Sequence, residues 1–212
     1  MKTVIVNGSP RRNGNTAQIL KQVKLGAEAA GDEVEYVDLC SLNFRGCRSC
    51  LAYKLSAIPE HCKCYWQDDL SPVLESVMKA DRLIIGSPIY FSEPTADVRA
   101  FVERLGFPAL SYNDYSSNLQ GRVDTVVFFT MNASEEHYCS AYEQRMREYF
   151  SALRFLNGTL SLVPVCDTLQ VDDYSKYEMK SFSEEHKRKV HEEEFPKDLA
   201  KAFAIGKREQ AV

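Results

Sequence analysis

Five short apolar runs, at 4–6, 34–39, 83–85, 123–129 and 160–165, are separated by segments whose apolar residues recur at helical spacing, and this alternation most constrains the fold. Strands that alternate with helices pair in parallel, through crossovers that return along one face of a sheet. The helical stripes are Ile19, Leu20, Val23, Ala27 and Ala30, with Gly31 as a C-cap; then Leu70, Val73, Leu74, Val77 and Met78, with Ser71 and Pro72 as cap and first-turn proline. Val98, Phe101, Val102 and Leu105 follow Pro94, and Tyr142, Met146, Tyr149, Phe150, Leu153 and Leu156 stripe a long helix. Right-handed crossovers leave few topologies. The pattern predicts an α/β fold, a doubly wound five-stranded parallel sheet of order 2-1-3-4-5 with helices on both faces and the run at 123–129 in the interior. In such a sheet a ligand binds outside the carboxyl ends of the strands, between strands 1 and 3.

Composition narrows the classes of function. A chain of 212 residues, 44% hydrophobic and 26% charged, can bury one core. We divide it into a domain over 1–166, carrying a Cys- and aromatic-rich lid insertion at 44–68, and a C-terminal extension over 167–212 that packs on the same domain or on a neighbouring subunit. A net charge of -4 argues against binding nucleic acid through bulk phosphate attraction. No window approaches the roughly 20 apolar residues of a membrane span, and the N-terminal run is short for a signal peptide. Seven cysteines, an odd number, fit a reducing compartment, and the expected location is the cytoplasm.

Three loops leave the carboxyl ends of strands 1, 3 and 4. The first, NGSPRRNGNT at 7–16, turns from a buried strand to small polar residues and then into a helix. Ser9, Asn15 and Thr16 gather hydroxyl and amide groups around a helix N-terminus, where Arg11 or Arg12 can close over a monophosphate. The loop lacks both G-x-G-x-x-G and the P-loop pattern, which argues against a tightly held dinucleotide and against ATP hydrolysis. An ordinary capped polar turn is the plainer alternative. The second loop, Ser87-Pro88-Ile89-Tyr90-Phe91, places a rigid proline, an aliphatic and two aromatics at the mouth of the sheet; capping the core is its plainer reading. With Thr130, Met131 and Asn132 from the third loop, the set suits a ligand with a phosphate at one end and a flat ring at the other. Flavin mononucleotide (FMN) has that shape.

GSPRRNGNT, GCRSC and KADRLIIGSPIYFSEPTADVRAFVERL resemble the flavodoxin-like NAD(P)H-dependent oxidoreductases of the multimeric-flavodoxin and iron-sulfur-flavoprotein group. The resemblance covers residues 1 to about 110 with specific motifs, and more loosely the rest through strand 5. It implies that Ser9, Arg11, Asn15 and Thr16 bind the FMN phosphate. It implies too that Pro88, Ile89, Tyr90 and Phe91 line the ring, and that Thr130, Met131 and Asn132 approach the ribityl chain or the pyrimidine edge. By the same resemblance NAD(P)H is the co-substrate, a quinone or similar flat small molecule the acceptor, and a homodimer or homotetramer the assembly.

The cysteine segment departs from that group's pattern. Cys47 and Cys50 match a C-x2-C half-site, but position 53 is tyrosine and the next cysteines are Cys62 and Cys64. A cluster or metal, a redox-active thiol pair, and plain lid cysteines all remain open, and no metal ligand is assigned. The aromatic stretch 51–66 is expected as a lid or subunit contact beside the flavin, and Cys40, Cys139 and Cys166 as packing residues. His137, His186 and His191 read as solvated, and Asp68-Asp69 as helix-capping. The acidic, aromatic stretch at 171–177 either folds over the site or docks on a neighbour. No nucleophilic triad is present, which suits a chain whose cofactor carries the chemistry. The expected function is FMN-dependent NAD(P)H oxidoreduction, with an FMN electron carrier, or an iron-sulfur flavoprotein or redox sensor using Cys47, Cys50, Cys62 and Cys64, as the rivals.

Overall fold

A computed structural model describes residues 1–58 and 60–209; residue 59 of the insertion and residues 210–212 of the extension lie outside the described residues. Along β1 (Lys2–Asn7) the side chains alternate between two apolar layers, Val4 and Val6 on one side and Ile5 on the other. β2 (Glu33–Asp38), β3 (Arg82–Tyr90), β5 (Val123–Thr130) and β6 (Asn157–Val165) join β1 in a parallel sheet of order β2-β1-β3-β5-β6. The order switches direction between β1 and β3. A short strand not expected from the sequence, β4 (Glu93–Pro94), runs antiparallel to the end of β3, so the sheet has six strands rather than five. Its connection is a two-residue turn in which Phe91 (φ 51°) and Ser92 (φ 66°) both take the left-handed conformation. Such turns favour Gly and Asn, which is why this one left no signal in the sequence.

The first layer buries Leu83, Ile85, Val127 and Phe129 against α2 (Ser71–Met78), α3 (Ala96–Ala109) and the helical stretch from α4 (Glu135–His137) to residue 156. That stretch is not one regular helix. A π turn at Tyr138–Tyr142 precedes α5 (Glu143–Phe150), and a tighter 3-10 stretch follows at Ser151–Leu156, yet Met146, Phe150, Leu153 and Leu156 still face the core. Ser71 does not cap α2 by its side chain; its hydroxyl donates to the Trp66 carbonyl instead. Pro94 lies in β4, and α3 begins after Thr95.

The second layer buries Ile5, Ile84, Phe128, Val163 and Val165 under α1 (Asn15–Ala29) and α7 (Phe195–Gly206). α1 ends in a Schellman motif, in which Gly31 (φ 79°) donates to Glu28 O and Asp32 N–H donates to Ala27 O. α1 and α7 touch backbone to backbone: a Cβ on Gly26 would stand 2.1 Å from Phe203 O, and one on Gly206 2.2 Å from Val23 O. The C-terminal extension therefore supplies half of this face's cover. α6 (Glu184–Glu193) leads into α7. Among the described residues no helix is long and apolar enough to cross a membrane.

The segment 44–68 lies over α3. Arg104, fully buried on that helix, donates to Asp68 at 2.5 Å and to the carbonyls of Trp66 (2.9 Å) and Arg45 (3.3 Å), and Arg48 stacks on Trp66. Asp68 is thus an ion-pair partner more than a helix cap.

Candidate functional site

At the carboxyl ends of β1, β3 and β5 the structure encloses a cavity of about 300 Å³, within the range of small-molecule sites. It lies at the switch between β1 and β3. Ten of the eleven site residues expected from the sequence line it: Ser9, Arg11, Asn15, Thr16, Thr130, Met131, Asn132, Pro88, Ile89 and Tyr90. Phe91 is the exception. Its side chain is 100% exposed on the β3–β4 turn and contributes nothing to the lining, because the left-handed turn points it away from the sheet.

The polar end is organised around the start of α1. Gly14 occupies the N-cap and offers no side-chain acceptor, and the first turn contains no acidic residue, so the helix's leading N–H groups and its positive end are left for another anion. Ser9 Oγ accepts from Arg11 N at 3.2 Å, and Asn7 Oδ1 accepts from Ser9 N at 3.0 Å, which folds the loop back on itself. The hydroxyls of Thr16 and Thr130 are 2.7 Å apart and tie the start of α1 to the end of β5.

The strap at 168–172, which follows β6, closes one side of the cavity with Thr168, Leu169, Gln170, Val171 and Asp172. Arg11 Nη1 donates to Gln170 O at 2.6 Å, and Asn15 Nδ2 to Leu169 O at 2.8 Å. Asn132 Nδ2 donates to Gln170 Oε1 at 2.9 Å, while Asn132 Oδ1 is buried without a partner. A buried acceptor left unpaired is costly, and a ligand bearing a hydroxyl or ring N–H would satisfy it. The uncapped helix at one end and this orphaned oxygen suit a molecule with an anionic tail and hydrogen-bond donors along its length. FMN fits that description.

Val171 and Asp172 belong to the stretch expected either to fold over the site or to dock on a neighbour, and they line the cavity; residues 168–170 escaped sequence analysis because they reach the loop from more than 150 positions away. His191 is a second miss. It was read as part of a solvated charged face, yet it lines the cavity and stacks on Phe195 with ring centroids 5.1 Å apart. His186 Nε2 is hydrogen-bonded to the Asp167 carboxylate, so it too is more than a solvated side chain. His137 is exposed, packs edge-on against Tyr142 and does not reach the cavity.

No described residue of 44–68 lines the cavity. Cys47, Cys50 and Cys64 border a separate small hollow with Tyr53, Trp66 and Arg104, while Cys62 Sγ lies 3.6 Å from Met78 Sδ. Burial pushes the Cys62 thiol up to about 11 and the Cys166 thiol up to about 12, which keeps both protonated. Among the described residues no group of three or more His, Cys, Asp or Glu side chains is arranged to hold a metal ion. Cys40 and Cys139, expected as packing residues, are exposed; Cys166 is half-buried against the core.

A family model described as NADPH-dependent FMN reductase matches residues 1–158. Among curated proteins, an iron-sulfur flavoprotein of Methanocaldococcus jannaschii is 31% identical over 104 residues, covering 49% of this chain and 51% of that protein. An iron-sulfur flavoprotein of Archaeoglobus fulgidus is 33% identical over 108 residues, covering 50% of this chain and 46% of that one. The matches thus span about half the length of these relatives. Among solved structures, an NAD(P)H:quinone oxidoreductase from Methanothermobacter marburgensis shares the fold with a TM-score of 0.72 at 18% identity, covering 98% of this chain and 96% of that one. An azoreductase from Bacillus anthracis shares it with a TM-score of 0.67 at 12% identity, covering 98% and 99%.

Proposed function

The chain belongs to the NADPH-dependent FMN reductase family, and from that premise we propose that it is an FMN-dependent NAD(P)H oxidoreductase that reduces a quinone or a similar flat acceptor. The observation that carries the reading is the cavity at the β1–β3 switch, with an uncapped helix N-terminus at one end and Pro88, Ile89 and Tyr90 at the other. The quinone reductase and azoreductase among the structural neighbours add the acceptor class, since both names describe planar conjugated substrates.

In this reading Ser9, Arg11, Asn15 and Thr16 hold the phosphate, Arg11 by charge and the others by neutral donors at the head of α1. Pro88, Ile89 and Tyr90 pack on the ring, while Thr130, Met131 and Asn132 face the ribityl chain or the pyrimidine edge. Bound FMN supplies hydride acceptance and release at its N5 atom. The chain itself binds and orients: strap carbonyls 169 and 170 fix the Asn15 and Arg11 side chains, and half-exposed Tyr90 leaves an entrance for nicotinamide and then for the acceptor. The curated relatives are named for iron-sulfur centres; a cluster has no part in this proposal, in which Cys47, Cys50, Cys62 and Cys64 stay free thiols. Assembly as a homodimer or homotetramer in a reducing cytoplasm, with all seven cysteines as free thiols, completes the reading.

The test is the absorption spectrum of the purified protein, with the released chromophore identified and its reduction by NAD(P)H followed anaerobically. A yellow protein that releases FMN and is bleached by NAD(P)H is expected. A colourless protein that cannot be reconstituted with FMN would overturn the reading. A flavin that dithionite reduces but NAD(P)H does not would point to an electron carrier.

A further inference from the structure

We propose that Lys187, in the C-terminal extension beyond the stretch the family model covers, is a positioning residue that holds Asn132 as a hydrogen-bond acceptor inside the cavity. The proposal rests on the reading of that cavity as an FMN site.

Lys187 is only 4% exposed, and an ammonium group taken out of water must be compensated by specific partners. It has two. Its Nζ donates to Asn132 O at 2.6 Å and is ion-paired with the Asp167 carboxylate. Asp167 sits in the left-handed region at φ 55°, and its N–H donates to Ala133 O at 2.7 Å. The next residue, Thr168, donates to Met131 O from both its N–H (2.9 Å) and its hydroxyl (3.0 Å). One buried cation therefore clasps the loop after β5 to the strap after β6. At the end of this clasp the Asn132 amide gives its donor side to Gln170, which leaves Oδ1 facing no protein donor. A clasp that fixes the backbone on one side and the amide on the other makes Oδ1 a preorganised acceptor for a ligand hydroxyl or ring N–H. FMN carries both.

The test is a fluorescence-quenching titration of FMN onto the full-length apoprotein, comparing wild type with K187M, N132A and the double variant, with thermal melting of each apoprotein as the fold control. K187M and N132A are each expected to weaken FMN binding about tenfold and to shift the visible flavin band in the same direction. The double variant is expected to be little weaker than either single variant, since both remove the same contact. K187M binding FMN like wild type overturns the proposal, and so does a double variant whose loss is the product of the two single losses. Should K187M fail to fold, K187Q, which keeps a donor toward Asn132 O, replaces it: affinity between wild type and N132A supports the clasp, and unchanged affinity overturns it. A wild-type chain that binds no FMN overturns the cavity reading itself, a result distinct from normal binding by both wild type and K187M.

Discussion

Arg11 uses one N–H on Gln170 O, and a guanidinium offers five, so the side chain can keep the strap in place and still meet a phosphate. R11A and T16A are expected to weaken FMN binding by about ten- to a hundredfold, given that charge-assisted bonds are roughly twice as strong as neutral ones. The melting temperature of the R11A apoprotein should change little, because that side chain is exposed, whereas T16A also loses the buried bond to Thr130 and is expected to melt lower. Equal loss of affinity and stability would mean that the loop is only a structural turn. Ser92 makes a second case. A non-glycine residue at φ 66° pays a backbone cost, so S92G is expected to stabilise the fold by up to about 1 kcal/mol in denaturant titration. The switch from buried strand to small polar residues at 7–16 was legible in the sequence, and Ser9, Arg11, Asn15 and Thr16 of that loop line the cavity. Phe91 was misread as a ring contact because its direction is set by a turn conformation that its own side chain disfavours.

At the scale of elements, α3 anchors the 44–68 segment through Arg104. R104M would leave Asp68 without its ion-pair partner and remove one of two donors to the Trp66 carbonyl, and breaking a buried ion pair costs about 3–5 kcal/mol. The expected result is a lower midpoint in urea and cleavage within 44–68 by a protease that leaves wild type intact. Unchanged protease resistance would show that other contacts hold the segment. Parallel strands and their crossover helices were readable because burial on both faces writes itself as apolar runs and stripes. β4 was not, since two residues are too few to make a period. Neither were residues 169 and 170 of the strap, which act through main-chain carbonyls whose identity no side chain reveals. The buried Lys187 in a dense run of charge was hidden by the same run, where one inward-facing cation looks like its solvated neighbours.

Over the whole molecule, acid stability depends on a few carboxylates with opposed tendencies. Burial pushes the Asp32 carboxyl up, but hydrogen bonds from Arg208 and Thr3 and the nearby charges outweigh it and hold it below the usual range. Asp167 is likewise raised by burial and lowered further by Lys187 and His186. The native contribution of both is complete above the unfolded carboxylate value, about 3.9, and is lost as pH falls below it. Asp198 works in the other direction. Burial raises it to about 6, against the pull of Lys201, so the native state binds a proton that the unfolded chain has already released, and stability falls as pH rises from about 4 to about 6. D198N is therefore expected to melt at a higher temperature than wild type at pH 7, with the difference shrinking toward pH 4. A difference independent of pH would refute the assignment to Asp198.

The backbone contact between α1 and α7 has a bearing on how the molecule is made. β1 and α1 leave the ribosome early, but the helix that shares their face ends at Gly206, near the end of the sequence. At about 5–20 residues per second, Ile5 waits on the order of ten seconds or more after α1 is made for α7 to cover its face, and Ile84 and Phe128 wait for the part of that interval that follows their own synthesis. Until α7 emerges, part of that face of the sheet stays open to water and to other chains.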